Sequence, residues 1–237
     1  MISRCRICKN DKLLTIMDLG EHSLSCRFPY NHEPDPLICP LVLLKCDDCY
    51  NTEACGLVQL RDNVSSDELY MHNYGYRSGL NATMINHLTQ LGKECLNKVE
   101  INDNDIINDI GSNDATLLKS YPNNFQKVGI DPTGTQFLQY YTDNIKLIPD
   151  FFSANVFDNA FPDKKAKIIT SISMFYDLPD PVQFMRDIKR VLDNNGIWVT
   201  EQSYIVTMLE RNSFDTICHE HLEYYAFKQI EFMANKV

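Results

Sequence analysis

The chain has 237 residues, 44% of them hydrophobic, and a formal net charge of −10 at pH 7, a composition that suits one large domain and a small one. Because no basic face stands out, the acidic balance argues against nucleic acid or an anionic membrane as the main partner. The N-terminus lacks the apolar core of a signal peptide, and the longest apolar patch, residues 40–44, is too short to span a bilayer. We therefore expect a cytoplasmic protein.

Two CxxC pairs lie in the first fifty residues, Cys5 with Cys8 and Cys46 with Cys49. Each pair can place two thiolates on one side of a tight turn, and two such turns complete a tetrahedral zinc site. Four Cys ligands leave no open position, so we expect a structural zinc ion. Cys55 can replace Cys46 or Cys49, which leaves the ligand set open. The alternative is four free thiols in a reducing cytosol.

An aromatic turn at residues 70–79 introduces a segment with apolar side chains at helical spacing, up to residue 99. Tyr76 lies within this turn. Its tyrosines are suited either to packing a joint between two domains or to lining a substrate site, and the sequence leaves both interpretations open.

The stretch after residue 105 has the pattern of a buried parallel strand, a tight loop and a helix start, where open α/β sheets bind cofactors. Gly111 lets a ligand approach the backbone, and Asn113 or Asp114 can cap the helix that follows. A dinucleotide-binding loop would have glycine where this chain has Asn113 and Ala115. The loop therefore predicts a cofactor without a diphosphate.

A second strand is predicted at residues 126–132 and carries Asp131, an acid placed to accept the ribose hydroxyls of an adenosine. The α/β alternation then continues, with helices predicted at residues 133–142 and 182–192 and strands at 145–148, 166–172 and 197–201. This order predicts a Rossmann-like α/β sheet. An ordinary βαβ unit with a capping Asp is the alternative.

Residues 214–225 read Phe-Asp-Thr-Ile-Cys-His-Glu-His-Leu-Glu-Tyr-Tyr. With this segment, the Gly111 loop, Asp131 and the CxxC pairs, the chain resembles the S-adenosylmethionine-dependent sugar C-methyltransferases that act on nucleotide-linked deoxysugars. The resemblance runs from Cys5 to about Phe227. It implies a class I methyltransferase sheet preceded by a small zinc-binding domain, with S-adenosylmethionine and structural Zn²⁺ as cofactors and a nucleotide-linked sugar as substrate.

The resemblance also implies roles for individual residues. The residues expected to line the cofactor are Asp109, Gly111, Asn113 and Asp131. Glu220 and His221 are expected at the reacting carbon, and Tyr76 nearby. Together with this resemblance, the pattern predicts a zinc-binding domain over residues 1–62, a helical linker over 63–100 and a methyltransferase domain over 101–237.

The chain departs from the family pattern at three places. Ala115 replaces a Gly, Cys218 replaces a Tyr, and the family continues well past Val237 with two more strands and most of a C-terminal lobe. We therefore expect a truncated methyltransferase domain whose fifth strand is an open edge. A fragment, half of a split protein with the lobe on another chain, and a degenerate relative are the interpretations left open.

Methyl transfer to carbon needs a carbanion equivalent, which a keto sugar supplies when a base removes the neighbouring proton. His221 has a suitable intrinsic pKa for that base, and Glu220 can orient a group or polarise the enolate. We expect His219 to face the scaffold. Sugar O-methylation, an incomplete or inactive module that binds cofactor or partners, and a zinc-ribbon interaction protein are the alternative functions.

Overall fold

The computed structural model describes residues 1–25, 27–49, 51–70, 74–142 and 144–237. The strands are β1 Leu13–Ser23, β2 Ile38–Cys46, β3 Val58–Leu60, β4 Ile106–Ile110, β5 Gln126–Ile130, β6 Ile145–Ile148, β7 Ala166–Ile172, β8 Leu192–Glu201 and β9 Glu223–Tyr224. The α-helices are α1 Ser66–Tyr70, α2 Ala82–Leu96, α3 Thr116–Ser120, α4 Ala154–Ala160, α5 Pro181–Val191, α6 Ile205–Arg211 and α7 Phe227–Ala234. Within the described ranges, every helix falls short of the length and apolar character needed to cross a membrane.

The chain divides into two compact units. The first, which we call the cysteine unit, comprises Met1–Gly75, Ser173–Met185 and Gln202–Val237. The second, the parallel-sheet unit, comprises Tyr76–Ile172 and Arg186–Glu201. The domain boundaries expected from the sequence, after residues 62 and 100, stay a prediction.

The cysteine unit is built on a four-stranded antiparallel sheet in the order β1-β2-β3-β9. Its last strand comes from the far end of the sequence, because Gln59 of β3 pairs with Glu223 of β9. Leucines of β2 and β3 form a buried cluster with Leu222 and Tyr224. The residues that follow the His-Glu-His segment are therefore part of the same sheet as the N-terminal strands.

The parallel-sheet unit contains five parallel strands in the order β6-β5-β4-β7-β8. Its inner strands are rich in Ile and Val and almost wholly buried, as expected for a parallel sheet covered on both faces. Ile107 and Ile168 pack on Leu117 and Leu118 of α3 and on Leu88 of α2. Strands β6 and β7 have the predicted bounds, and β8 lies at an edge among the described strands.

Three predicted helical segments differ in detail. The segment before residue 100 is divided into α1, a 3₁₀ turn at Ser78–Leu80 and α2, which Asn81 caps by accepting from the Thr83 N–H at 2.8 Å. The helix expected after Asp131 is a 3₁₀ segment, Gly134–Tyr140. Helix α3 starts at Thr116, because the loop before it turns through positive φ angles.

Candidate active site and metal centre

Four thiols meet in the cysteine unit: Cys5 and Cys8 before β1, Cys46 at the end of β2, and Cys55 shortly before β3. All four Sγ atoms lie within 4.8 Å of one another, with Cys5 and Cys55 3.5 Å apart and Cys8 and Cys46 3.5 Å apart. A tetrahedral zinc ion with ordinary Zn–S bonds separates its sulfur ligands by about 3.8 Å. The donor set fits zinc, and four thiolates close the coordination sphere.

This set differs from the predicted ligand set at one position. Cys49 is exposed and is not among the four clustered thiols. The chain returns to the cluster through Gly56, whose φ of +68° glycine adopts without strain and where an added Cβ would clash with the Asp48 carboxylate. The Cys46 N–H donates to the Leu57 carbonyl at 2.8 Å. Cys55, which the sequence left as an alternative ligand, is therefore the fourth clustered thiol where Cys49 was expected.

Arg6, between two of the clustered cysteines, is 3% exposed and joins the cysteine turn to the sheet. Its Nη1 donates to the Leu60 carbonyl at 2.7 Å and to Gln59 Oε1 at 3.2 Å, and its Nε lies 3.4 Å from Glu223 Oε1. Burial raises the pKa of Glu223 well above its usual range, and the Arg6 charge opposes that rise. One guanidinium therefore connects the cysteine turn to β9, two residues beyond His221.

His221 is held in one tautomer. Its Nδ1 lies 2.7 Å from the carbonyl oxygen of Thr216, and because a carbonyl only accepts, Nδ1 carries the proton and Nε2 keeps its lone pair. The ring meets that of Tyr176 edge-on, with centroids 4.4 Å apart. Burial lowers the pKa of His221, with Thr216 and Glu220 opposing that fall. The result is a neutral imidazole with a basic Nε2.

Glu220 is 6% exposed and lies among further acids and tyrosines of the cysteine unit. Burial raises the pKa of Asp177 well above its usual range, and the charge of Glu220 adds to the rise, while Tyr70 opposes it. Asp177 ends a 3₁₀ turn whose Phe175 stacks on Tyr225 with ring centroids 5.5 Å apart. The sequence alone does not single out Asp177, because only the fold brings this acid near Glu220.

The neighbours of Glu220 and His221 in the chain serve the scaffold. His219 is 3% exposed, with its Nε2 3.1 Å from the Cys39 carbonyl and its N–H donating to Ser25 Oγ at 3.1 Å. The expectation for His219 is therefore confirmed. Burial raises the pKa of Cys218 to about 11, so this thiol stays protonated near neutral pH.

The predicted cofactor residues come together in the parallel-sheet unit, where the carboxyl ends of β4 and β5 meet. Asp131 is 4% exposed, and its Oδ2 accepts from the Asn113 N–H at 2.6 Å. Its Oδ1 accepts from the N–H and the hydroxyl of Thr133, both at 2.6 Å. A carboxylate has about four acceptor positions, so Asp131 joins the two loops and keeps capacity for a ribose hydroxyl.

Asp109 ends the central strand and is also 4% exposed, with its Oδ1 accepting from the Thr170 hydroxyl at 2.6 Å. Burial raises the pKa of Asp109 to about 7; the Thr170 hydrogen bond opposes the rise and the Asp131 charge adds to it. Gly111 is exposed, has a φ of +70°, and donates its N–H to the Ile130 carbonyl at 2.9 Å. Its backbone is therefore open to a ligand beside two acids.

Asn113 and Asp114 do not cap α3, which corrects that expectation. The Asn113 amide accepts from the Ser78 N–H at 2.9 Å and donates to the Tyr76 carbonyl at 3.1 Å, and Asp114 Oδ2 accepts from the Gly79 N–H at 3.1 Å. The loop thus fastens the segment that carries Tyr76. The Tyr76 side chain is 48% exposed and belongs to the parallel-sheet unit, whereas Glu220 and His221 belong to the cysteine unit.

Comparison with known proteins finds two family models that match separate parts of the chain. Residues 5–70 match a family model described as "Putative zinc binding domain", and residues 108–200 match one described as "Methyltransferase domain". A curated relative, "C-methyltransferase NovU" from Streptomyces niveus, is 26% identical over 230 residues, which cover 95% of this chain and 53% of the relative. The chain therefore spans about half the length of that relative.

Two solved structures share the fold at low sequence identity. A chain from the Haloferax volcanii complex of the Trm112 methyltransferase activator with a methyltransferase has a TM-score of 0.51 and 17% identity, covering 66% of this chain and 71% of that one. The YcgJ protein of Bacillus subtilis has a TM-score of 0.50 and 19% identity, covering 64% and 67%. The chain has a class I S-adenosylmethionine-dependent methyltransferase fold preceded by a Cys-rich zinc-binding domain, which confirms the predicted fold class and cofactors.

Proposed function

We propose that this chain provides the cofactor and base residues of a C-methyltransferase whose substrate is a nucleotide-linked keto-deoxysugar. The observation that carries the proposal is the tautomer of His221, whose Nδ1–H is fixed on the Thr216 carbonyl so that Nε2 is the basic atom. The name of the Streptomyces niveus relative, a C-methyltransferase, supports carbon as the acceptor. The nucleotide-linked sugar comes from the family resemblance of the His-Glu-His segment.

In this proposal His221 Nε2 removes a proton from the carbon next to the sugar carbonyl, and the electrons of that C–H bond form the enolate. Asp109, Gly111, Asn113 and Asp131 would hold S-adenosylmethionine, which would supply the methyl group on its sulfonium: the enolate carbon would take that methyl group, and the sulfur would keep the electrons of the broken sulfur–methyl bond. The proton stays on His221, and the Thr216 carbonyl and the Glu220 charge stabilise the imidazolium. Burial raises the pKa of Asp177 and so favours its neutral form, and a neutral carboxyl can donate a hydrogen bond to a developing enolate oxygen.

The remaining site assignments are part of the same proposal. Zinc is held by Cys5, Cys8, Cys46 and Cys55 and has no part in the chemistry. The cofactor is lined by Asp109, Gly111, Asn113 and Asp131, and Tyr76 contacts the sugar. A C-terminal lobe, in the same polypeptide or on another chain, completes the substrate site.

Product analysis in the full-length protein tests the proposal. We expect mass spectrometry to show one added methyl group on a nucleotide-linked 4-keto-deoxysugar, and NMR to place that group on a ring carbon. The His221→Ala variant should lose about 10²- to 10⁴-fold in kcat, the range of a general base, and keep its affinity for S-adenosylmethionine. A wild-type kcat in His221→Ala would remove the base from the proposal.

O-methylation is the second candidate, because the same neutral imidazole can take a proton from a hydroxyl. NMR of the product separates the two. A methyl resonance on oxygen would keep His221 as the base and change the acceptor.

A further inference from the structure

A cavity of about 450 Å³ lies in the parallel-sheet unit, beside the loop that carries Asn113 and Asp114. Its volume falls within the range of small-molecule sites. Helices α2 and α3, the turn before α2, and Tyr140 form its walls. The charged and aromatic side chains that line it are Arg77, Asp114, Lys119 and Tyr140.

Two cations of this cavity share one aromatic ring. The Arg77 Cζ lies 4.6 Å and the Lys119 Nζ 5.2 Å from the centroid of the Tyr140 ring. Burial lowers the pKa of Lys119; Asp114 opposes that fall and Arg77 adds to it. Two like charges held this close, in a chain whose net charge is −10, form a local excess of positive charge.

Asp114, the one carboxylate among the described residues that line the cavity, already has partners. Its Oδ2 accepts from the Gly79 N–H at 3.1 Å and lies 3.7 Å from Arg77 Nε, and its Oδ1 accepts from the Thr116 hydroxyl at 2.5 Å. One carboxylate balances one of the two cations. The cavity therefore keeps a net positive charge.

The hydrogen-bond donors of the cavity also exceed its acceptors. Arg77 Nη1 donates to the Tyr140 hydroxyl oxygen, so the Tyr140 O–H proton is left to donate elsewhere. Lys119 donates to the Asp114 carbonyl at 2.8 Å, which uses one of its three ammonium hydrogens. Arg77 Nε is buried and makes no hydrogen bond to any described residue. Converging unused donors with excess positive charge are complementary to an anion.

We propose that this cavity binds a phosphate or carboxylate group, with Arg77 and Lys119 as its charged contacts and Tyr140 as a further donor. Two molecules of the proposed reaction carry such a group. One is the cofactor, through the carboxylate of its amino-acid portion. The other is the diphosphate of a nucleotide-linked sugar, and this second source rests on the function proposed above, whereas the anion site itself does not.

Calorimetry on the full chain with three probes tests the site and separates the sources. Inorganic pyrophosphate reports phosphate binding. S-adenosylhomocysteine carries the carboxylate, and 5′-methylthioadenosine is its counterpart without the amino-acid portion. Lys119→Gln removes one charged contact and Tyr140→Phe one hydroxyl. Lys146→Gln is the matched control, because Lys146 is exposed, packs on the Phe161 ring at 4.7 Å and does not line the cavity.

We expect Lys119→Gln to lower the affinity for one of the probes by about 10- to 150-fold, the effect of losing a charge-assisted hydrogen bond. Lys146→Gln should bind all three probes like the wild type. If Lys119→Gln binds S-adenosylhomocysteine more weakly but 5′-methylthioadenosine with unchanged affinity, the anion is the carboxylate of the cofactor. If the variant binds pyrophosphate more weakly, the anion is a phosphate. Wild-type affinity of Lys119→Gln for all three probes, with a wild-type melting temperature, would overturn the site.

Discussion

The cysteine unit and the parallel-sheet unit both bury charged side chains, but they hold them differently. In the cysteine unit Arg6 is held by Gln59, Leu60 and Glu223, groups that come from distant parts of the chain. In the parallel-sheet unit the acids Asp109 and Asp131 lie at the ends of adjacent strands and take hydrogen bonds from neighbouring strands and loops. The first arrangement brings together residues that are far apart in the sequence. The second follows from the path of the sheet.

Loss of the metal should have the largest effect on the cysteine unit, because zinc binding and folding are coupled and structural zinc contributes about 10–16 kcal/mol in small domains. We expect Cys55→Ser to lose zinc by elemental analysis and to unfold the cysteine unit, while the fold of the parallel-sheet unit persists in hydrogen exchange. Cys49→Ser is the matched control and should keep one zinc per chain. Zinc loss in Cys49→Ser with full retention in Cys55→Ser would restore the ligand set first expected from the sequence.

The next largest effect is expected at Arg6. Arg6→Met leaves the buried acceptors of Gln59, Leu60 and Glu223 without their partner, and each buried acceptor left unsatisfied costs about 1–3 kcal/mol. Denaturant unfolding measures this loss, with Arg4→Met, an exposed neighbour, as the control. If Arg6→Met and Arg4→Met unfold at the same denaturant concentration, the guanidinium does not join the cysteine turn to β9.

The cofactor residues of the parallel-sheet unit could be predicted from the sequence further than the thiol cluster and Arg6 contacts of the cysteine unit. The strands of the parallel sheet are local runs of Ile and Val, and Gly111 and Asp131 follow them at fixed spacing, so their positions could be predicted. The choice between Cys49 and Cys55 depends on the turn through Gly56, and the pairing of Arg6 with Glu223 depends on β9 joining β3. Such long-range pairings leave no periodic pattern in the sequence.

The loop after β4 gives a second example. Asn and Asp before a helix commonly cap it, yet here Asn113 and Asp114 bind the backbone of residues 76–79. Side chains with several acceptors satisfy whichever N–H groups the tertiary structure brings to them. The amino-acid type was informative about hydrogen bonding, and the partner was fixed by the fold.

Asp109 offers a test by pH. Its pKa in the folded chain is about 7, above the 3.8 of a free side chain. The folded state therefore binds this proton more tightly than the unfolded state does. The resulting stabilisation of the folded state is fully present below pH 4 and is lost as the pH rises through 7. The free energy of unfolding should change by at most about 4 kcal/mol over this pH range. Urea unfolding of Asp109→Asn should lack this part of the pH slope, and an identical slope in the variant would contradict the assignment.

The smallest of these effects is expected at Asp131. Asp131→Ala should weaken the binding of S-adenosylmethionine by about 1.5–3 kcal/mol, or roughly 10- to 150-fold in affinity, because a charge-assisted hydrogen bond to the ribose is lost. Asp150, an exposed acid after β6, supplies the control Asp150→Ala. Calorimetry measures both. Equal affinities for the cofactor would show that Asp131 only joins the two loops.

The central claim, that His221 Nε2 takes a proton from a sugar carbon, is tested most directly by solvent exchange. In D₂O, with S-adenosylhomocysteine in place of the methyl donor, the full-length protein should exchange the proton next to the keto group of a nucleotide-linked sugar, as followed by NMR. His221→Ala should slow this exchange by about 10²- to 10⁴-fold, and His22→Ala, at an exposed histidine, should leave it unchanged. Exchange at the wild-type rate in His221→Ala would contradict the claim.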